Sequence, residues 1–226
     1  MTELNEALNR LEKGLQTTTT VANRLQPGLS RVEIDQRAAS FSWTLPGDVY
    51  ALYQWHNGLS GTAAKLNLAE KFLRLKGKWH GELAGRENEI HLLFEDRLVV
   101  AKFLPLAYAL AGHRHLKLGR CLLDLLPIAI LHDGNTTTYV MVRLEAEQPT
   151  LYCANGTNLP PMKVTEAFLS TQLQFTGLIH LVNLLTHCFQ TAAQPSLVNQ
   201  DSQKVRAIDC EINAAPFVQL LQQSRS

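Results

Sequence analysis

The chain has 226 residues, of which 46% are hydrophobic, with 21 basic and 20 acidic residues and a formal net charge of +1. The apolar fraction excludes a disordered polypeptide, and the length suits one generous domain. The balanced charge excludes the basic footprint that a phosphate backbone demands, so nucleic acid is not an expected partner.

Leu4, Leu8, Leu11 and Leu15 recur at helical spacing, with Glu3, Glu6, Arg10, Glu12 and Lys13 between them. This predicts an amphipathic N-terminal helix within residues 1–29. The β-branched run Thr17 to Thr20 ends or bends it. The opening segment lacks the short apolar core of a secretory signal, so a cytoplasmic protein is expected. Pro27-Gly28 forces a turn. Ser30 and Glu33 have the spacing of a capping box, so a second helix is expected over Arg31–Phe41.

The stretch WTLPGDVYALYQWHNG, residues 43–58, crowds aromatic side chains together. Pro46 suits the first turn of a helix, and Asp48 its positive end. Val49, Leu52, Tyr53 and His56 share one helical face, and Asn57-Gly58 tolerates the left-handed conformation that closes a helix. Tyr50, Tyr53 and Trp55 cannot all face the core. Tyr50, Trp55 and His56 are therefore the candidate protein-binding residues, although core packing accounts for the cluster as a whole.

Glycines make residues 65–85 loop-rich. Ile90–Glu95 and Leu98–Phe103 read as strands, and Leu104-Pro105 opens a helix through Ala111. Over residues 122–154, the run LLPIAIL, the turn HDGN, the alternating TTTYVMVRL, the turn EQP and TLYC predict a three-stranded meander.

Helical spacing is expected from Thr165 to Ala193. No Asp, Glu, Lys or Arg occurs between Ala167 and Gln200. The length would serve a membrane span, but Gln172, Gln174, His180, Asn183 and His187 would each cost free energy in lipid. A buried helix is the reading adopted, and it allows a homodimer through this C-terminal helix. His180, Asn183 and His187 share a face, read as the polar side of that helix. Pro195 ends it, and a last helix is expected from Asn213.

His113 and His115 could ligate a metal with His132, Asp133 or Cys121 completing the set, and with His132 they would serve a small metal-dependent hydrolase. No second clustered pair completes it, so a solvated basic turn is preferred. Neither a catalytic residue nor a cofactor is assigned. Cys121, Cys153, Cys188 and Cys210 lack metal-ligand spacing and read as reduced, buried thiols. His187 beside Cys188 is no dyad, because adjacent helical residues diverge.

The capped SRVEID, followed by LPGDVYALYQWHNG, resembles the signature of the SUKH superfamily, which includes fungal cell-wall-synthesis regulators and bacterial immunity proteins. Leu45, Pro46, Asp48, Tyr50, Tyr53, Asn57 and Gly58 fall on its positions. Downstream, Phe103–Ala107, Leu126–Ala129 with Asp133-Gly-Asn135 and Tyr139, and Pro149–Tyr152 follow the family's order. The likeness spans residues 30–170. HRHLKLGRC reads as an insertion, and residues 165–226 as a C-terminal helical extension.

The resemblance implies one α+β domain, residues 1–226, with a twisted antiparallel sheet surrounded by helices. It also implies a non-enzymatic module whose partner is another protein, either a toxin it neutralises or a regulatory partner. The near-zero net charge argues against the acidic surface of nucleic-acid-mimicking immunity proteins.

Overall fold

The structure, a computed structural model, describes residues 2–19, 21–59, 90–94, 97–118, 121, 123–132, 137–145, 150–155, 164–191 and 210–212. The expectations for residues 60–89, for the tips of the two meander turns and for a helix after Asn213 lie outside the described residues.

Helix α1, Glu3–Thr18, begins where Thr2 Oγ1 accepts from the Asn5 N–H at 3.4 Å. Its periodic leucines Leu4, Leu8, Leu11 and Leu15 are all buried. The helix stops in the threonine run. Thr17 donates to the Lys13 and Gly14 carbonyls and Thr19 to that of Leu15, drawing backbone acceptors away from helix extension. A 3₁₀ turn, Val21–Arg24, leads into strand β1, Leu25–Pro27.

Helix α2, Arg31–Ala38, carries the full capping box. Ser30 Oγ accepts from the Glu33 N–H at 3.3 Å, and the Glu33 carboxylate accepts from the Ser30 N–H at 2.8 Å. It ends three residues before the expected Phe41, where the Phe41 N–H bonds to the Ala38 carbonyl at 2.9 Å in a tightened last turn.

Helix α3, Gly47–Trp55, follows Pro46, whose carbonyl accepts from the Val49 N–H at 3.0 Å. His56 is extended, and His56–Leu59 is strand β2. Two expectations are corrected here. His56 does not share the buried helical face, and Asn57-Gly58 does not close the helix. The pair lies inside β2, which is antiparallel to β1 with Leu25 opposite Leu59.

Strands β3 (Ile90–Phe94) and β4 (Arg97–Phe103), helix α4 (Leu106–Leu118), and strands β5 (Leu125–His132), β6 (Thr137–Arg143) and β7 (Leu151–Asn155) follow. The expected meander β5–β6–β7 is present and antiparallel. Pro127 marks a register shift between β5 and β6, where a central strand tolerates a missing N–H.

The expected helix over 165–193 is broken. Helix α5 is only Glu166–Leu169. Strand β8, Leu173–Phe175, then pairs with β7, and helix α6 is Leu178–Gln190. Thr171 Oγ1 donates to the Phe168 carbonyl at 2.8 Å and Gln174 Nε2 to that of Leu169 at 3.0 Å, so side chains end α5. Leu173 and Phe175 then turn inward around an exposed Gln174. The lack of charge had hidden a strand between two helices.

The seven-stranded sheet runs β8-β7-β6-β5-β4-β3-β9, with β9 being Cys210–Ile212. It is antiparallel except at the β3–β9 edge, where the strands are parallel. The fold is α+β. Strands β5 and β6 have buried residues in consecutive positions, as central strands covered on both faces do. Helix α4 lies against β5, and α1 runs along α6. Buried side chains from α1 to α6 form one connected hydrophobic core.

Among the described residues no helix is long and apolar enough to cross a membrane. Helix α6 has 13 residues, roughly 20 Å, against a hydrocarbon core of about 30 Å. Leu178, Leu181, Val182, Leu184, Cys188 and Phe189 of α6 are buried within the chain, while His180, Asn183 and His187 are exposed. The polar stripe is the solvated side of a core helix.

Candidate functional site

The expected binding residues Tyr50, Trp55 and His56 divide between two places. Tyr50 is 8% exposed, its hydroxyl donates to the Asp35 carboxylate, and the Arg31 guanidinium lies 4.7 Å from its ring centroid. It ties α3 to α2. Trp55 and His56 come together at α1. The Trp55 indole N–H donates to Glu12 Oε2 at 3.1 Å, and His56 Nε2 lies 3.6 Å from Glu12 Oε1. His56 Nδ1 is 2.8 Å from the Gln26 carbonyl, which can only accept, so that nitrogen carries the proton. Both rings are half-buried. These contacts fasten α1 and β1 to the end of α3.

Asn57 is 6% exposed and belongs to the same framework. Its Nδ2 donates to Gln26 Oε1 at 3.0 Å, and its Oδ1 accepts from the Leu106 N–H at 2.9 Å, supplying the first turn of α4 with a partner. Gly58 has φ +76°, and a Cβ there would sit 2.4 Å from the Pro105 nitrogen. Only glycine lets β2 pass so close to the start of α4.

The expected basic turn at His113 and His115 is corrected. Both lie within α4, which runs to Leu118, and both are buried, at 3% and 8% exposure. Helical spacing continues through HRHLKL, so these residues are helix and not a turn. His113 Nδ1 donates to the Leu125 carbonyl at 3.0 Å, while His132 Nδ1 lies 3.3 Å from Thr137 Oγ1. Among the described residues no three His, Cys, Asp or Glu side chains gather as metal ligands. The thiols of Cys121, Cys153 and Cys188 are free, and burial pushes their pKa values up, that of Cys153 to about 12. A thiol so shifted is a poor nucleophile at neutral pH.

A cleft of about 620 Å³ opens between the α2–α3 connection and α4, lined by Ser40, Phe41, Ser42, Trp43, His113, Arg114, Lys117 and Asp124. Phe41 and Trp43 are half-buried, with ring centroids 4.7 Å apart. The His113 ring meets both edge-on, at 5.4 Å and 5.1 Å. Burial lowers the His113 pKa, which keeps the ring neutral at pH 7. Lys117 Nζ pairs with Asp124 Oδ1 at 2.7 Å. Burial pushes the Asp124 carboxyl up, but hydrogen bonds from Lys117 and Glu145 outweigh it and hold its pKa low. Its hydrogen bond with Asp124 raises the Glu145 pKa.

Arg114 is exposed, stacks 4.7 Å from the Phe41 ring centroid and donates to Ser40 Oγ. The arrangement suits recognition. Neutral His113 donates its Nδ1 proton to the Leu125 carbonyl, and its Nε2 lies 3.6 Å from Asp124 Oδ1. The aromatic rings and the arginine are side chains that dominate protein interfaces.

Sequence reasoning missed Phe41, Trp43 and Arg114. Two aromatic residues spaced by serines ahead of Pro46, outside any helical period, were the available signal for the first two. Arg114 has no such signal, because nothing in its own segment shows that it packs against Phe41. Comparison with protein-family models finds no match, and comparison with curated proteins finds no significant one.

Proposed function

We propose that this chain is a non-enzymatic protein-binding module of the SUKH type, acting in the cytoplasm as a toxin-neutralising immunity protein or a regulatory adaptor. The observation that carries this reading is the cleft. Half-buried Phe41 and Trp43 stand beside exposed Arg114, and aromatic residues and arginine are the types enriched at protein interfaces. Buried, free thiols at Cys121 and Cys188 accord with a reducing compartment. The α+β architecture and the run LPGDVYALYQWHNG support the family reading.

Affinity capture from the source organism tests it, using wild type, Trp43→Ala and Arg114→Glu, each shown to be folded by circular dichroism. The reading expects a specific protein held by the wild type and lost by both variants. A partner that both folded variants retain would remove the cleft from the account.

A further inference from the structure

We infer that the cleft recognises an acidic side chain flanked by an apolar residue in the partner protein. The inference rests on the proposal that the cleft is the partner-binding site, and adds the chemistry of what enters it. The argument begins with the charges. Lys117 is paired with Asp124 at 2.7 Å, and His113 is buried and uncharged at neutral pH. Arg114 is the lining cation whose charge no carboxylate among the described residues offsets; its contacts are the Phe41 ring and the Ser40 hydroxyl. The described lining side chains therefore sum to one positive charge, carried by Arg114 at the exposed mouth.

Geometry then selects the anion. The guanidinium has five N–H donors in a planar fork that matches a carboxylate. Stacking on Phe41 covers one face of that plane and fixes its direction, and one donor is used by Ser40. The remaining edge is available for two parallel hydrogen bonds, the strongest form of this contact. The exposed Ser42 stands between Phe41 and Trp43 and adds a hydroxyl to the same wall. The half-buried rings of Phe41 and Trp43 supply apolar surface beside the fork. An acidic residue next to an aromatic or aliphatic one satisfies both halves. A basic peptide would meet Arg114 as a like charge.

The test uses the intact, ¹⁵N-labelled chain and three peptides with blocked termini: acetyl-Gly-Phe-Glu-Leu-Gly-amide and its Gln and Lys counterparts. Nuclear magnetic resonance titration follows the Trp43 indole N–H and the Arg114 side chain. The expected result is saturable shifts at these groups with the Glu peptide, at least ten-fold weaker binding of the Gln peptide and none of the Lys peptide. Added salt should weaken the Glu complex. Arg114→Gln should remove the preference for Glu over Gln, and Arg114→Lys should restore it only in part.

Equal response to Glu and Gln peptides overturns the inference, as does a lack of response to the Glu peptide at millimolar concentration. So does equal binding of a Gln peptide with a free C-terminal carboxylate, which would make the chain end the ligand. If Trp43→Ala abolishes partner capture while the peptides show no charge preference, the acidic inference fails and the protein-binding reading stands. If partner capture ignores both cleft variants, that reading fails first.

Discussion

Replacing Gly58 with alanine tests how β2 is held against the start of α4. Gly58 has φ +76°, and a Cβ would lie 2.4 Å from the Pro105 nitrogen and 2.7 Å from the Leu104 carbonyl carbon. The left-handed conformation costs an L-residue about 1–2 kcal/mol. The obstructing atoms are backbone and cannot rotate away, so overpacking adds about 1–3 kcal/mol. The sum, about 2–5 kcal/mol, is a large part of the 5–15 kcal/mol typical of a folded domain. With a urea dependence of about 2–3 kcal/mol per molar, the unfolding midpoint should fall by roughly 1–2 M. Circular dichroism and tryptophan fluorescence would follow the transition. Gly47→Ala is the control, because a Cβ there meets nothing within 4 Å, and it should be neutral or slightly stabilising. A loss below about 1 kcal/mol for Gly58→Ala, or equal effects of both substitutions, would refute the reasoning.

Asn57→Ala leaves the Leu106 N–H and Gln26 Oε1 without their partner and should cost about 1–3 kcal/mol in chemical denaturation. Burial raises the Asp48 pKa and the Leu178 backbone opposes that shift, which sets the carboxyl beside the start of α6, where Gly177 offers no side-chain cap. Asp48→Ala should therefore destabilise by about 0.5–2 kcal/mol and speed amide hydrogen exchange at the first turn of α6. Burial lowers the pKa values of His113 and His115 from their ordinary 6.5. Below pH 6.5 the unfolded chain thus binds more protons at these sites, and stability falls as pH drops through the folded values. Melting temperature against pH should show this loss for the wild type, and it should be shallower for a folded His113→Gln, His115→Gln double variant.

What the sequence made legible follows from periodicity. The leucines of α1 at spacings of three and four announced its buried stripe, and Ser30 with Glu33 announced the start of α2. The meander was legible because β5 is an apolar run and β6 is rich in β-branched and apolar residues, with polar segments between them, although β6 buries consecutive positions and does not alternate as expected. Strands β1, β2 and β8 were not, since segments of three or four residues are too short to express a period of two. Asn57-Gly58 looked like a helix stop because its partners, Gln26 and Leu106, are distant in the chain. The same holds for the cleft. Its aromatic wall comes from residues 40–43 and its charged wall from α4 and Asp124, so no linear motif joins them. Trp55 and His56 were found by composition, and their half-buried contacts with Glu12 give them an architectural task.

The measurement that tests the central claim most directly is site-specific photo-crosslinking in the source cell. The reactive group would replace exposed Ser42 in the cleft or exposed His180 on the polar stripe of α6. The account predicts one protein partner crosslinked from Ser42 and lost when Arg114→Glu is added, with no such product from His180. A partner, or a second copy of this chain, captured from His180 and not from Ser42 would contradict it and move the interaction surface to α6.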